Sequence, residues 1–465
     1  MITLCVRILL IMNERPRKIF FSGIGGSGMS AIACFMADKG HAVTGSDRTF
    51  DVNKNDPLRK ALVAKGIRIV PQDGKGIRNG FDFAVFSTAV DPAVPECAAA
   101  KELGMPIKSR PGYLAEITSS YKTIAVTGTS GKSTVSGMLA FLMDRLGLSP
   151  NFIGGGRVKQ FKTDCDPGNC KTGRSDTLIF EACESDGTIV HYRPEHSIIL
   201  NLALDHNPVE KTAGMFTALM NNTRSKTLFN NDDENLRKIR RDSLITFSVH
   251  TPSDYRADAV RYEPFSTVFF VNDTEFRLNL PGRHNLYNAM ACIAMLLELG
   301  IEPDTVSSAL REFQGIDRRF DVRLNDRGYL VIDDYAHNPH KIASLMATVR
   351  KFRKQICFIF QPHGFGPTRL MRTEYVETFI DNLRESDHLV LLPIFYAGGD
   401  VQKDISSHDL ASEIRSGGRS VEVTEKRSDF INRTGNYKTY VVFGARDDSL
   451  SDFAGAIAST LLLKH

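Results

Sequence analysis

Ala125-Val-Thr-Gly-Thr-Ser-Gly-Lys-Ser-Thr134 follows the apolar run Thr123–Val126 and opens a helix-like stretch at Lys132. A strand that stops at such a glycine-rich turn leaves free backbone N–H groups at a helix amino terminus, where phosphate is stabilised. Lys132 is then placed to reach β- and γ-phosphates, and the Ser133 hydroxyl to sit on Mg²⁺. The usual phosphate loop has four residues between its first glycine and the Gly-Lys pair. Here only Thr129 and Ser130 separate Gly128 from Gly131. The bland alternative is a tight strand–helix turn with a solvated lysine.

A second glycine turn lies upstream. Lys18–Ser22 reads as a strand, Gly23-Ile-Gly-Gly-Ser-Gly28 as a turn, Met29–Lys39 as a helix and Ala42–Gly45 as a strand ending at Ser46-Asp47. That is a βαβ unit with G-x-G-x-x-G spacing and an acidic residue about 20 positions on. Strand-like runs at Ile67–Val70 and Phe83–Ser87 continue an open α/β sheet to about residue 118. A fresh α/β pattern begins at Lys122, with strands expected at Thr177–Glu181, Ser197–Leu202 and Leu244–Phe247. Alternation over Phe265–Leu280 suggests an antiparallel patch before helix Asn285–Leu299. A third block carries strands at Leu330–Asp333, Cys357–Phe360, His388–Leu392 and Tyr440–Phe443, and reads as a second doubly wound sheet.

The bulk numbers agree. At 465 residues, a prior of roughly 100–200 residues per domain gives about three. Hydrophobic content of 42% with 24% charged residues fits a globular enzyme. The net charge of +4 gives no whole-molecule attraction to nucleic acid, so anionic substrates need local basic groups. Eight scattered cysteines read as reduced thiols; Cys165 and Cys170 lack a second pair for a zinc site. The apolar start, Met1–Met12, lacks a small-residue cleavage site, and residues 1–11 read as a disordered or non-native extension ahead of a second start at Met12. No other run approaches the ~18 apolar residues that cross a bilayer, so the expected location is cytoplasmic.

Further polar groups fall where ligands collect, at strand ends and helix starts. Glu181 ends one strand and Asp205-His206 follow another; a carboxylate and an imidazole there would hold a Mg²⁺. His284, Asn285 and Asn288 sit at a helix start, where one asparagine is an N-cap candidate and the other polar groups suit an adenine edge. Asp317-Arg-Arg-Phe320 lies between blocks, and Asp333-Asp-Tyr-Ala-His-Asn-Pro339 follows a strand whose acidic end suits ribose hydroxyls.

These pieces, in this order, resemble the Mur ligase family of ATP-dependent amide-forming enzymes of peptidoglycan precursor synthesis. The resemblance runs from about residue 18 to the C-terminus and rests on Gly128–Ser133, Glu181-Ala-Cys-Glu-Ser-Asp186, Asn201 through His206, Gly282–Asn285 with Asn288, Arg318–Phe320 and Asp334–Pro339. It implies an α/β chain of three domains: a Rossmann-like UDP-sugar-binding domain over 17–118, a central ATP-binding ligase domain over 119–315, and a Rossmann-like amino-acid-binding domain over 316–465. The implied reaction activates the carboxylate of UDP-N-acetylmuramate as an acyl phosphate and joins it to an amino acid, with ATP and Mg²⁺ required. The segments Gly23–Met29, 181–186 and Gln361-Pro-His363 are most similar to the alanine-adding branch; a branch attaching a recycled peptide is the alternative.

Carried over by position, Lys132, Glu181, His206 and Arg319 are catalytic, and Ser133, Glu181 and His206 bind metal. Gly128, Thr129, Ser130, Gly131, Lys132, Ser133, Thr134, His284, Asn285, Asn288, Arg319 and Asp334 bind ATP. Gly23, Gly25, Gly26, Ser27, Gly28, Met29, Asp47, Ser87, His337 and His363 meet the other substrates. The chain would act as a monomer or homodimer, with no nucleic-acid or membrane partner.

Four segments depart from the family pattern. Ser130 stands where Asn or His is usual, Asn207-Pro208 where Met-Asp follows the histidine, Arg446 within Gly444-Ala-Arg-Asp447 where glycine is usual, and Gly364-Phe-Gly-Pro367 also differs. They leave two other readings open: a nucleotide-binding paralogue without ligase activity, and a nicotinamide oxidoreductase built on the first turn.

Overall fold

The computed structural model describes residues 15–91, 93–204, 207–241, 243–396 and 401–463. The extension proposed for residues 1–11 and the Asp205-His206 pair lie outside them. Contacts divide the chain at Ile316/Asp317 into two units.

The N-terminal unit holds two parallel sheets. In the first, the order is Arg68–Val70, Ala42–Ser46, Lys18–Ser22, Phe83–Phe86, Ile107–Ser109, all parallel. Lys-Ile-Phe-Phe-Ser is apolar without alternation because helices cover both faces, and its last four residues are buried. The first strand lies between the second and the fourth, so the order reverses there. The glycine turn therefore opens at the switch point of the sheet, where such folds place ligands.

The second sheet runs Tyr255–Arg256, Ile245–Ser248, Thr227–Asn230, His196–Ile199, Lys122–Thr127, Thr177–Glu181, Asn151–Ile153, Cys170–Lys171. Only the last pairing is antiparallel. The expected strands flank Lys122–Thr127 in parallel on either side, so their carboxyl ends meet the phosphate loop. The strand expected over Ser197–Leu202 stops at Ile199, which leaves Asn201 on a loop. Helix Lys132–Arg145 packs with helix Arg283–Glu298, which is apolar on nearly every face beyond its first turn. Burying Leu286, Met290, Ile293 and Leu296 contributes about 1.5–3 kcal/mol each, enough to offset placing Asn285 and Asn288 in the same interior.

The alternating segment forms a three-stranded antiparallel sheet, Asp258–Tyr262, Thr267–Val271 and Thr274–Leu278. Its tight hairpin uses Asn272 and Asp273, both at positive φ, as a two-residue turn of this twist requires.

The C-terminal unit is a six-stranded sheet ordered Asp321–Asp326, Tyr329–Asp334, Thr439–Gly444, Cys357–Gln361, His388–Leu391, Val421–Val423. It is parallel except for its first strand, an edge that sequence reading did not anticipate. Among the described residues no helix is long and apolar enough to cross a membrane.

Candidate active site

The phosphate loop is a strand–turn–helix, as read. Gly128 has φ +145° and Gly131, at the N-cap of helix Lys132–Arg145, has φ +89°. A Cβ at Gly128 would lie 2.9 Å from Leu200 Cβ, and one at Gly131 2.6 Å from Asn288 Oδ1. Both positions need glycine for conformation and for space. Asn201 pins the loop from outside: its Oδ1 accepts from Thr129 Oγ1 and from the Ser130 N–H, each at 2.8 Å, and its Nδ2 donates to Ser130 O at 3.0 Å. Thr134 lies buried in the first helical turn.

Lys132 folds back over the loop. Its Nζ donates to Gly128 O at 2.6 Å and to Glu184 Oε2 and Oε1 at 2.8 and 3.1 Å. Burial works to lower the lysine pKa, but the Glu184 carboxylate outweighs it and leaves Lys132 above its ordinary value, a fixed cation. Ser133 Oγ donates to Glu181 Oε2 at 3.1 Å, and Gly155 N–H donates to Glu181 Oε1. A hydroxyl and a carboxylate beside a phosphate loop are the hard oxygen donors that Mg²⁺ prefers. His206, expected to share a Mg²⁺ with Glu181, lies outside the described residues.

The asparagines sit where expected, with one correction. Neither caps the helix; Gly282, at φ +97°, is the N-cap, and both lie inside the first turns. Asn285 Nδ2 donates to Pro281 O at 2.8 Å, and Asn288 Nδ2 donates to Asn285 Oδ1 at 3.4 Å. Asn288 thus abuts the phosphate loop at Gly131, whereas His284 is exposed.

The upstream turn gathers its own set. Gly23 has φ +80°, and a Cβ there would meet Val90 at 2.7 Å and Ser87 Cβ at 3.0 Å. Asp47 accepts from Gly25 N–H at 2.8 Å and Thr49 N–H at 2.9 Å, so its carboxylate braces the turn as well as capping the next helix. Gly26 is the N-cap of helix Ser27–Asp38, whose first turn carries Gly28 and Met29, and Ser27 O accepts from Asn169 Nδ2 at 2.8 Å.

The C-terminal unit places its residues around Tyr335. The Arg319 guanidinium lies 5.1 Å from that ring. Arg318, its neighbour, is buried at φ +56° with Nε 3.3 Å from Asp333 Oδ1. Burial pushes the Asp333 carboxyl up to about 6 despite Arg318. Asp334 accepts from the N–H groups of Phe320 and Ala336, each at 2.7 Å, and burial raises it too. His337 Nδ1 is 2.9 Å from Tyr335 O. Burial, with Lys341 nearby, pushes His337 down to about 3. His363 Nδ1 accepts from Arg446 N–H at 3.3 Å, which leaves Nε2 as the protonated nitrogen, and burial lowers its pKa. The Arg446 Nε donates to Tyr335 OH at 2.8 Å.

Sequence reading gave no role to Glu184 or Asn201, although both fall within quoted motifs. Glu184 stands three residues after Glu181, past the strand end, where spacing alone does not say which carboxylate faces the lysine. Away from these sites, Asp38, Asp166 and Cys170 come together, but the Lys65 ammonium fills their centre, 2.9 Å from Asp38 and 2.7 Å from Asp166.

Residues 18–122, 126–296 and 318–446 match, in turn, the sequence families described as Mur ligase family, catalytic domain; Mur ligase middle domain; and Mur ligase, glutamate ligase domain. The chain is 33% identical over 429 residues to a UDP-N-acetylmuramate–L-alanine ligase of Solibacter usitatus, covering 88% of each. It is 30% identical to the enzyme of that name from Caldanaerobacter subterraneus, covering 88% of this chain and 89% of the other. Among solved structures, the UDP-N-acetylmuramate-alanine ligase of Thermotoga maritima superposes with a TM-score of 0.81 at 26% identity, over 97% of this chain and all of the other. A murein peptide ligase of Psychrobacter arcticus shares the fold, with a TM-score of 0.67 at 22% identity over 96% and 98% of the two chains.

Proposed function

The chain belongs to the Mur ligase family, and on that premise we propose that it joins the carboxylate of UDP-N-acetylmuramate to an amino acid, L-alanine. It is an ATP-dependent ligase of peptidoglycan precursor synthesis. We place it in the cytoplasm, in three domains over 17–118, 119–315 and 316–465. The carboxylate is activated as an acyl phosphate with release of ADP; the amine attacks the acyl carbon, and the C–O bond to phosphate breaks to give amide and orthophosphate.

The observation that carries this reading is the convergence at one helix amino end. There a fixed lysine cation, a serine hydroxyl and two carboxylates meet at the carboxyl ends of parallel strands. Phosphoryl transfer demands fixed donors at oxygens that gain negative charge. On this reading Lys132 clamps the β/γ-phosphates, and the N–H groups of Gly128–Thr134 cradle them. Asn285 and Asn288 recognise adenine, with His284 at the rim. Ser133 would hold one Mg²⁺ and Glu181 with His206 a second, which supply charge neutralisation at the transferring phosphoryl group. In the C-terminal unit, Arg319 serves phosphate and Asp334 the ribose, while neutral His337 and His363 serve the incoming amine. Gly23, Gly25, Gly26, Ser27, Gly28, Met29, Asp47 and Ser87 take the nucleotide sugar.

The test is orthophosphate release from ATP with UDP-N-acetylmuramate and a panel of alanine, serine, glycine and short peptides. Release should require both co-substrates, with alanine the best acceptor. Hydrolysis indifferent to both would reject the ligase reading, and preference for a peptide would move the chain to the recycling branch.

A further inference from the structure

Arg110 and Asp186 have no place in the scheme above, yet they join its two glycine turns. Arg110 is the first residue of helix Arg110–Ser119, directly after the last strand of the first sheet. Its side chain crosses the amino end of helix Ser27–Asp38: a Cβ on Gly28 would lie 3.4 Å from both Cδ and Nη1. The arginine thus lies within van der Waals reach of the first turn of that helix. Arg110 Nη2 is 2.6 Å from Asp186 Oδ2, with 20% and 13% of the two side chains exposed.

Asp186 closes the segment that already gives Glu181 to Ser133 and Glu184 to Lys132. One short stretch thus supplies a carboxylate to the cation at each turn, Glu184 to Lys132 and Asp186 to Arg110. The other Asp186 oxygen is committed elsewhere, accepting from the Thr188 N–H at 3.1 Å. A guanidinium fork matches phosphate oxygens two at a time, and the amide groups of the turn favour an anion at the same place.

We propose that Arg110 binds the diphosphate of the nucleotide-sugar substrate, and that Asp186 is a positioning residue that holds the guanidinium over the turn and yields it to the incoming anion. The proposal rests on the upstream turn taking that substrate. Its signature is a pair of opposite signs. An ion pair that merely braces two sheets fails in the same direction whichever partner is removed. A competing carboxylate fails in the opposite direction from the cation it holds.

Calorimetric titration of UDP and of UDP-N-acetylmuramate into wild type, Arg110→Ala, Arg110→Lys and Asp186→Asn separates these. Arg110→Ala should weaken both ligands by about 10- to 100-fold, the worth of a charged hydrogen bond, with lysine restoring part of the loss. Asp186→Asn keeps the acceptor for Thr188 and should tighten both by about 3- to 10-fold. Affinity for a non-hydrolysable ATP analogue should stay within about 2-fold in every variant. Weakening by Asp186→Asn, or wild-type UDP affinity in Arg110→Ala, would overturn the proposal. A loss confined to UDP-N-acetylmuramate would move Arg110 to the sugar-acid carboxylate and overturn the diphosphate assignment. Wild type that binds the ATP analogue but neither uridine nucleotide would instead reject the substrate reading on which this rests.

Discussion

Replacing Lys132 by alanine is the obvious test of the phosphate loop, and the structure shows that alone it is a confounded one. Glu184 is 3% exposed and gives both oxygens to the Lys132 ammonium. Removing the lysine strands a buried carboxylate, which costs about 3–5 kcal/mol of stability when a buried pair is broken from one side. The clean perturbation is Lys132→Ala combined with Glu184→Gln, which removes the stranded charge and keeps an acceptor and a donor in its place. The single variant should shift the urea unfolding curve by about 3 kcal/mol, and the double should regain at least about 2 kcal/mol of that. Turnover should behave differently. A preorganised donor to a developing oxyanion is worth roughly 2.7–4 kcal/mol, so single-turnover phosphate release should fall at least about a hundredfold in both variants. Stability rescued without activity is the expected pattern. Near-normal turnover in the double variant would show that Lys132 serves the fold and not the chemistry.

Asn201→Ala removes the side chain that pins Thr129 and Ser130, and should raise KM for ATP by about 5- to 30-fold while leaving KM for the nucleotide sugar alone; an unchanged KM for ATP would refute that role. His337 has its folded pKa depressed from 6.5 to about 3, so the fold favours the neutral ring. That stability is fully present above pH 6.5 and is lost as pH falls towards 3, to a ceiling on the order of 5 kcal/mol. His337→Gln should flatten this part of the stability–pH curve in denaturant titrations, and an unchanged slope between pH 6.5 and 4 would contradict it.

The parallel sheets were legible because their strands are apolar without alternation and end at glycine turns or acidic residues. Lys18–Ser22 and Thr177–Glu181 emerge with the bounds read from sequence. The antiparallel edge Asp321–Asp326 was not, since its polar, alternating residues resemble a loop when its partner strand is unknown. The N-cap of helix Arg283–Glu298 was misread because asparagine is a strong cap former. Here Gly282 takes the cap at positive φ, and the asparagine side chains are spent on Pro281 and on each other. In the site, Glu181 ends a strand parallel to the one that leads into the phosphate loop, and there it meets Ser133 at the helix start. Glu184, Asn201, Arg110 and Asp186 escaped because each acts through a partner at least 50 residues away, which local spacing does not reveal.

The most direct measurement uses UDP-N-acetylmuramate carrying oxygen-18 in its carboxylate, incubated with ATP, Mg²⁺ and alanine. Activation through an acyl phosphate transfers one labelled oxygen to the orthophosphate released with each amide formed. Mass spectrometry should therefore find singly labelled phosphate in step with product. Unlabelled phosphate accompanying labelled product would contradict the account.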